Sequence, residues 1–236
     1  MRFSSIACLL SLSLSAVLAG CGKSESEKEY VLKGDYQTQN PLTVTAPILY
    51  TRQGPVTNPQ VIQQFLARLN NTGFVFGTSQ TLSSNSLLSF RDDKTASIVF
   101  QAPQGTAIEA RLEEKTSDRI VLVGRDSIAY SQAPNPVLVV QNINQYKVAG
   151  RCRPVPPASG FISPCKGAVR YPINRTADGQ LRIPLLSFLH KVTYPGGMAS
   201  NSGINVWGVF NSAVLGQLGA TDTLVVQTKE LPLLKQ

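Results

Sequence analysis

Ala107-Ile108-Glu109-Ala110-Arg111-Leu112-Glu113-Glu114-Lys115-Thr116-Ser117-Asp118-Arg119-Ile120-Val121-Leu122-Val123-Gly124 is the stretch whose reading decides the fold. Ile108, Ala110 and Leu112 alternate with Glu109, Arg111 and Glu113. Side chains alternate across a strand, so this period of two describes a strand with one dry and one wet face. Thr116-Ser117-Asp118 is a turn, and the apolar run after it returns as a second strand, giving a hairpin.

The same pattern spreads outward from this hairpin. Residues 43–51 are rich in Thr, Val, Ile and Tyr, with Pro47 implying an edge or a bulge. Residues 95–101 follow the turn-prone pair Asp92-Asp93. Further strands are expected at 127–132, 137–148, 168–173, 180–193, 204–210 and 223–228, with Ala177-Asp178-Gly179 as a hairpin turn. One stretch is helical. Asn58 is an N-cap, Pro59 suits the first helical position and Gly73 lies past the end. Val61, Ile62, Phe65, Leu66 and Leu69 fall on one face, expected to be packed on the core. The fold class is therefore mainly β: an antiparallel barrel or a sandwich, with one amphipathic helix near residues 59–70. Pro195 to Gly203 reads as a long loop at a sheet end, and Trp207, the only tryptophan, as a core residue.

Upstream of the domain the pattern changes. Arg2 precedes an apolar run from Ile6 to Leu18, the charged and apolar regions of a secretory signal, too short to span a bilayer. The run ends Leu18-Ala19-Gly20-Cys21, which resembles the lipobox of bacterial lipoproteins. That resemblance implies lipidation of Cys21 and cleavage before it, so that 1–20 is a signal peptide. Residues 21–29, polar and charged after Cys21, are expected to be a solvated tether, and residues 30–236 a single β-rich domain. The acidic residues after Cys21 also resemble surface-export signals of some Bacteroidota lipoproteins. The address implied is the bacterial cell envelope, lipid-anchored in the outer membrane on its periplasmic or surface face.

Leu32-Lys33-Gly34-Asp35-Tyr36, just after the tether, is similar to the Gly-x-Trp opening strand of lipocalin-like barrels, with Tyr in place of Trp. Lipocalin-like lipoproteins of Bacteroidota place such a strand in this position. The resemblance implies a barrel and carries over no ligand.

An oxidising compartment gives the cysteines a meaning. With Cys21 lipidated and Cys8 in the leader, Cys152 and Cys165 remain. Their spacing is not C-x-x-C, and no histidine or second cysteine pair lies nearby, so a structural disulfide is expected rather than a redox or metal pair. The segment between them is rich in proline.

The remaining chemistry is sparse. The net charge of +8 is carried by scattered single Lys and Arg, not blocks, and no nucleic-acid partner is expected. The one histidine, His190, has no Gly-x-Ser-x-Gly elbow to serve and too few partners for zinc; it is expected to be a strand residue with a hydrogen-bonded imidazole. Phosphate-binding loops are missing, and no cofactor, metal or catalytic residue is assigned. The reading is a non-catalytic binding or interaction domain for a small apolar ligand or an envelope protein. If the domain is a barrel, Ile108, Ala110 and Leu112 line its lumen. The alternative is a carboxylate-dependent hydrolase of envelope glycan or peptide, whose acids would come from Asp92, Asp93, Glu109, Glu113 and Glu114 and would face one another across a cleft.

Overall fold

The structure is a computed structural model, and it describes residues 30–68, 76, 81, 85–102, 104–132, 138–146, 149–152, 163–194 and 196–236. The leader, Cys21, the tether, Leu69 and Gly73 lie outside the described residues.

Thirteen strands form a single hydrogen-bonded network. They are β1 (Gly34–Thr38), β2 (Thr43–Val44), β3 (Ile48–Thr51), β4 (Gly54–Val56), β5 (Ser86–Phe90), β6 (Thr95–Phe100), β7 (Ala107–Lys115), β8 (Arg119–Gln132), β9 (Ala149–Cys152), β10 (Ser163–Arg175), β11 (Leu181–Tyr194), β12 (Gly197–Trp207) and β13 (Thr223–Lys235). Among the described residues there are also two helices, α1 (Pro59–Arg68) and α2 (Leu138–Asn142), and a 3-10 turn at Ser212–Gln217. Eight strands close into an antiparallel barrel in the order β11-β10-β8-β7-β6-β5-β1-β13, with β13 returning to β11. The choice between barrel and sandwich is thus resolved in favour of the barrel.

Alternation explains why the lumen is dry. In register, Ala110 lies opposite Ala96, Ile108 opposite Ile98, and Leu112 opposite Leu122. Ala96, Ile98 and Ala110 are fully buried. The facing pair Ala96 and Ala110 leaves room for Phe90, paired with Ala96 on its other side, whose ring meets Tyr36 edge-on at 5.7 Å. Eight strands enclose an interior that side chains can fill. Tyr171, Trp207 and Phe100 form an aromatic cluster, Trp207 meeting the other two edge-on, with centroids 5.2–6.1 Å apart. Trp207 is half-buried there, its indole N–H donating to the Pro172 carbonyl at 2.5 Å.

The ribbon of β11 and β13, paired from Leu181↔Leu233 to Lys191↔Thr223, is longer than the barrel needs. Beyond Leu185, β12 joins β11, while β2 and β3 join β13. The ribbon therefore leaves the barrel as the centre of a sheet, β12-β11-β13-β3-β4. Its even-numbered face carries Leu186, Phe188, Leu224 and Val226, covered by Val139 and Ile143 of the α2 segment and Val214 of the 3-10 turn. Its odd-numbered face carries Leu189, Val225 and Leu49, covered by Ile62, Phe65 and Leu66 of α1. Asn58 caps α1, its Oδ1 accepting from Gln60 N at 2.9 Å. Val61 instead points to solvent.

Two expected elements differ. Of the strand expected at 137–148, the described residues 138–146 form α2 followed by a single bridge at Asn144. Val139 and Ile143 are one helical turn apart and both buried, so packing on the even face decides the conformation of a run with no period of its own. The loop expected at 195–203 belongs largely to β12. It pairs with β11 down to Tyr194↔Gly197, and this pairing, not side-chain pattern, makes it a strand. A Cβ at Gly203 would lie 2.6 Å from Phe188 Cε1, so only glycine admits that ring.

Candidate functional site

The odd face of the ribbon changes character where it leaves the barrel. Leu181, Ile183, Leu231 and Leu233 are apolar and buried, and so are Leu189 and Val225 farther along. Between them sit Ser187, Gln227 and Lys229, all buried. Ser187 pairs with Gln227, and Leu185 with Lys229. Asn205, at φ +51°, joins this layer from β12 beside the register shift at Leu186/Phe188. Its Oδ1 accepts from Lys229 Nζ at 3.2 Å, and its backbone N–H donates to Ser187 Oγ at 3.4 Å. Among the described residues no carboxylate pairs with Lys229. Burial pushes its amine below the usual lysine range.

A buried cation with one neutral acceptor is a cost to folding. Lys229→Met keeps the length and removes the ammonium. We expect it to stabilise the domain by about 1–3 kcal/mol at neutral pH. The advantage should shrink as pH rises, because burial makes the folded lysine release its proton at lower pH than the unfolded one, whose ordinary value is 10.5. Wild-type stability therefore climbs with pH up to that value. Denaturant titrations at several pH values check this; a destabilised variant with a pH-independent difference would contradict it.

Two clefts flank the ribbon, and Thr45 lines both. A cleft of about 410 Å³ lies on the odd face under α1, lined by Val44, Ala46, Pro47, Ile62, Leu66 and Phe76, with Gln227 as a polar group at its floor. Gln227 Nε2 donates to the Thr45 carbonyl at 2.9 Å. Val44 is the register partner of Lys229, so the cleft borders the buried polar layer. A second cleft of about 290 Å³ lies on the even face.

His190 is fully buried in β11, and its Nε2 lies 3.4 Å from Asp222 Oδ2, which also accepts from Gly219 N–H at 2.9 Å. Desolvation pushes the imidazole below its ordinary value, against the opposing pull of Asp222. His190 Nδ1 meets no partner among the described residues. The pair fastens β11 to the 3-10 turn side of the even face.

The carboxylates weighed for acid/base chemistry are spread over turns and strands. Asp92 Oδ1 accepts from Lys94 N–H at 2.7 Å and Thr95 N–H at 2.6 Å, and these bonds, Lys94's first, hold its carboxyl below the usual range. Asp93 accepts from Leu32 N–H, Glu109 pairs with Arg91 at 2.7 Å, and Glu113 is gripped by Arg170 at 2.5 and 2.8 Å. Glu114 is exposed. Of the cysteines, Cys152 and Cys165 are brought together in backbone register, as directly opposed partners of β9 and β10.

Sequence reading missed the polar layer. Its signal was present in β13, where Val225, Gln227, Lys229, Leu231 and Leu233 occupy alternate positions and two polar residues interrupt an inward apolar row. Comparison with protein-family models, with curated proteins and with solved structures gives no match to this chain.

Proposed function

We propose that this chain is a lipoprotein of the bacterial cell envelope, anchored through Cys21 in the outer membrane, whose β domain binds a ligand and performs no catalysis. The single observation that carries the binding reading is the cleft under α1. It is apolar on most sides, carries the amides of Gln63 and Gln227 with Thr45 and Thr57 as its polar groups, and borders a buried polar layer, a composition that suits a small, mostly apolar ligand. The envelope address also supports a disulfide between Cys152 and Cys165. A hydrolase working through the weighed carboxylates has less support, because Asp92, Asp93, Glu109 and Glu113 each hold a turn or a strand pair.

The test uses the neutral fluorophore N-phenyl-1-naphthylamine and the full chain. We expect saturable binding, weakened about tenfold or more by Ala46→Trp. Ala46 is an exposed lining residue, so the larger ring fills the cleft without disturbing the core. Absence of saturable binding, or equal binding by the variant, would remove the cleft as the site.

A further inference from the structure

The even face of the ribbon holds a second recognition surface that the apolar cleft does not use. Thr43 and Thr45 from the β2 segment lie in register with Glu230 and Thr228 of β13, so all four side chains project to the same side. The hydroxyls of Thr45 and Thr228 lie 3.1 Å apart. Glu230 is clamped from the barrel side, Oε1 accepting from Asn174 Nδ2 at 3.0 Å and Oε2 from Arg182 Nη1 at 3.2 Å. Phe210 stands across the space, its ring 5.6 Å from that of Tyr50. Of these, Thr43, Thr45, Thr228, Glu230, Asn174 and Phe210 line the cleft of about 290 Å³, with Arg182 and Tyr50 behind them.

The geometry points to this cleft as a binding site for a single neutral sugar ring. Three features select that class. The volume sits at the bottom of the range for ligand pockets, which fits one ring rather than a chain. The lining combines an aromatic wall with a carboxylate, an amide and three hydroxyls. A pyranose matches it, with an apolar C–H face and a rim of hydroxyls that each donate and accept. Arg182 pairs with Glu230, and Lys229, which also lines the cleft, directs its ammonium to Asn205 Oδ1 at 3.2 Å, so the carboxylate is the charged group left to meet a ligand and it is already neutralised. The carboxylate oxygens accept from ligand hydroxyls while Asn174 and the threonines supply donors, and a charge-assisted bond of this kind is the stronger one. The site shares only Thr45 with the α1 cleft, and Thr228, Glu230 and Phe210 belong to it alone, so shifts at Thr228 and Phe210 test it separately from the apolar-ligand reading.

Glucose, galactose, mannose and N-acetylglucosamine are titrated into the full chain, with backbone amide shifts followed by two-dimensional NMR. Glucosamine and glucuronate serve as charged counterparts. At least one neutral sugar should saturate shifts at Thr45, Thr228 and Phe210 with millimolar affinity, the scale expected of so small a ligand. Thr228→Val and Glu230→Gln should each weaken that binding about tenfold or more, and the dispersion of the same spectra reports that both remain folded. The inference is overturned if no neutral sugar shifts these residues at tens of millimolar, if either charged sugar binds more tightly than every neutral one, or if neither substitution changes the affinity.

Discussion

Replacing Cys21 by serine should move the protein from the membrane fraction to the soluble one and leave residues 1–20 uncleaved by the lipoprotein pathway. The magnitude follows from the acyl chains. Each buried CH₂ contributes about 0.8 kcal/mol, one chain binds only marginally, and two or three on one cysteine anchor stably. Among the described residues no helix is long and apolar enough to cross a membrane, so helical spanning by the domain would not mask the loss of the lipid. Fractionation with mass spectrometry of the amino-terminal peptide makes the measurement. Wild-type protein recovered soluble, with an unmodified Cys21 at its start, would refute the lipoprotein reading and leave the two clefts as the remaining functional leads.

How much of this molecule could be read from its sequence depends on where a periodic pattern met a partner of its own kind. The hairpin of β7 and β8 was legible because Ile108, Ala110 and Leu112 alternate, and the structure pairs them with Ile98, Ala96 and Leu122. The turn at Ala177-Asp178-Gly179 was legible because Gly179 takes φ +87°, the conformation the motif advertises. α2 was not legible: Leu138-Val139-Val140 has strand propensity, and only its packing on Leu186 and Leu224 makes it helical. The end of β12 at 204–207 was legible, but its first part was hidden for the opposite reason, since Ser200-Asn201-Ser202-Gly203 carries no apolar signal and takes its conformation from β11. The clefts and the polar layer lie deeper still. Lys229, Ser187 and Asn205 come from three strands and meet only because the ribbon outgrows the barrel and β12 bulges beside it. No local pattern encodes that meeting.

Converting both Cys152 and Cys165 to serine should lower the stability of the oxidised protein by about 3 kcal/mol and leave the barrel folded. The first ground is compartment: an even pair of cysteines in an oxidising envelope is expected to close. The second is register. Cys152 of β9 lies directly opposite Cys165 of β10, within a run of four consecutive pairs ending at Ala149↔Ala168. Directly opposed residues of an antiparallel pair have Cα atoms about 4.5 or 5.5 Å apart, inside the span of about 4.4–6.8 Å that a disulfide bridges. The bond would close a loop of the size for which chain entropy gives that figure. It would tie β9, which among the described residues pairs only with β10, to a strand held on its other side by β8 from Asn174↔Arg119 to Ser163↔Gln132. The barrel strands do not depend on β9, so the variant should melt earlier while retaining its strand content by circular dichroism. The wild-type protein treated with reductant should melt with the variant, and the variant should not respond to reductant. Two titratable thiols in wild-type protein isolated from the envelope would show that the pair stays reduced, and the opposed cysteines would then have to be explained by something other than a covalent staple.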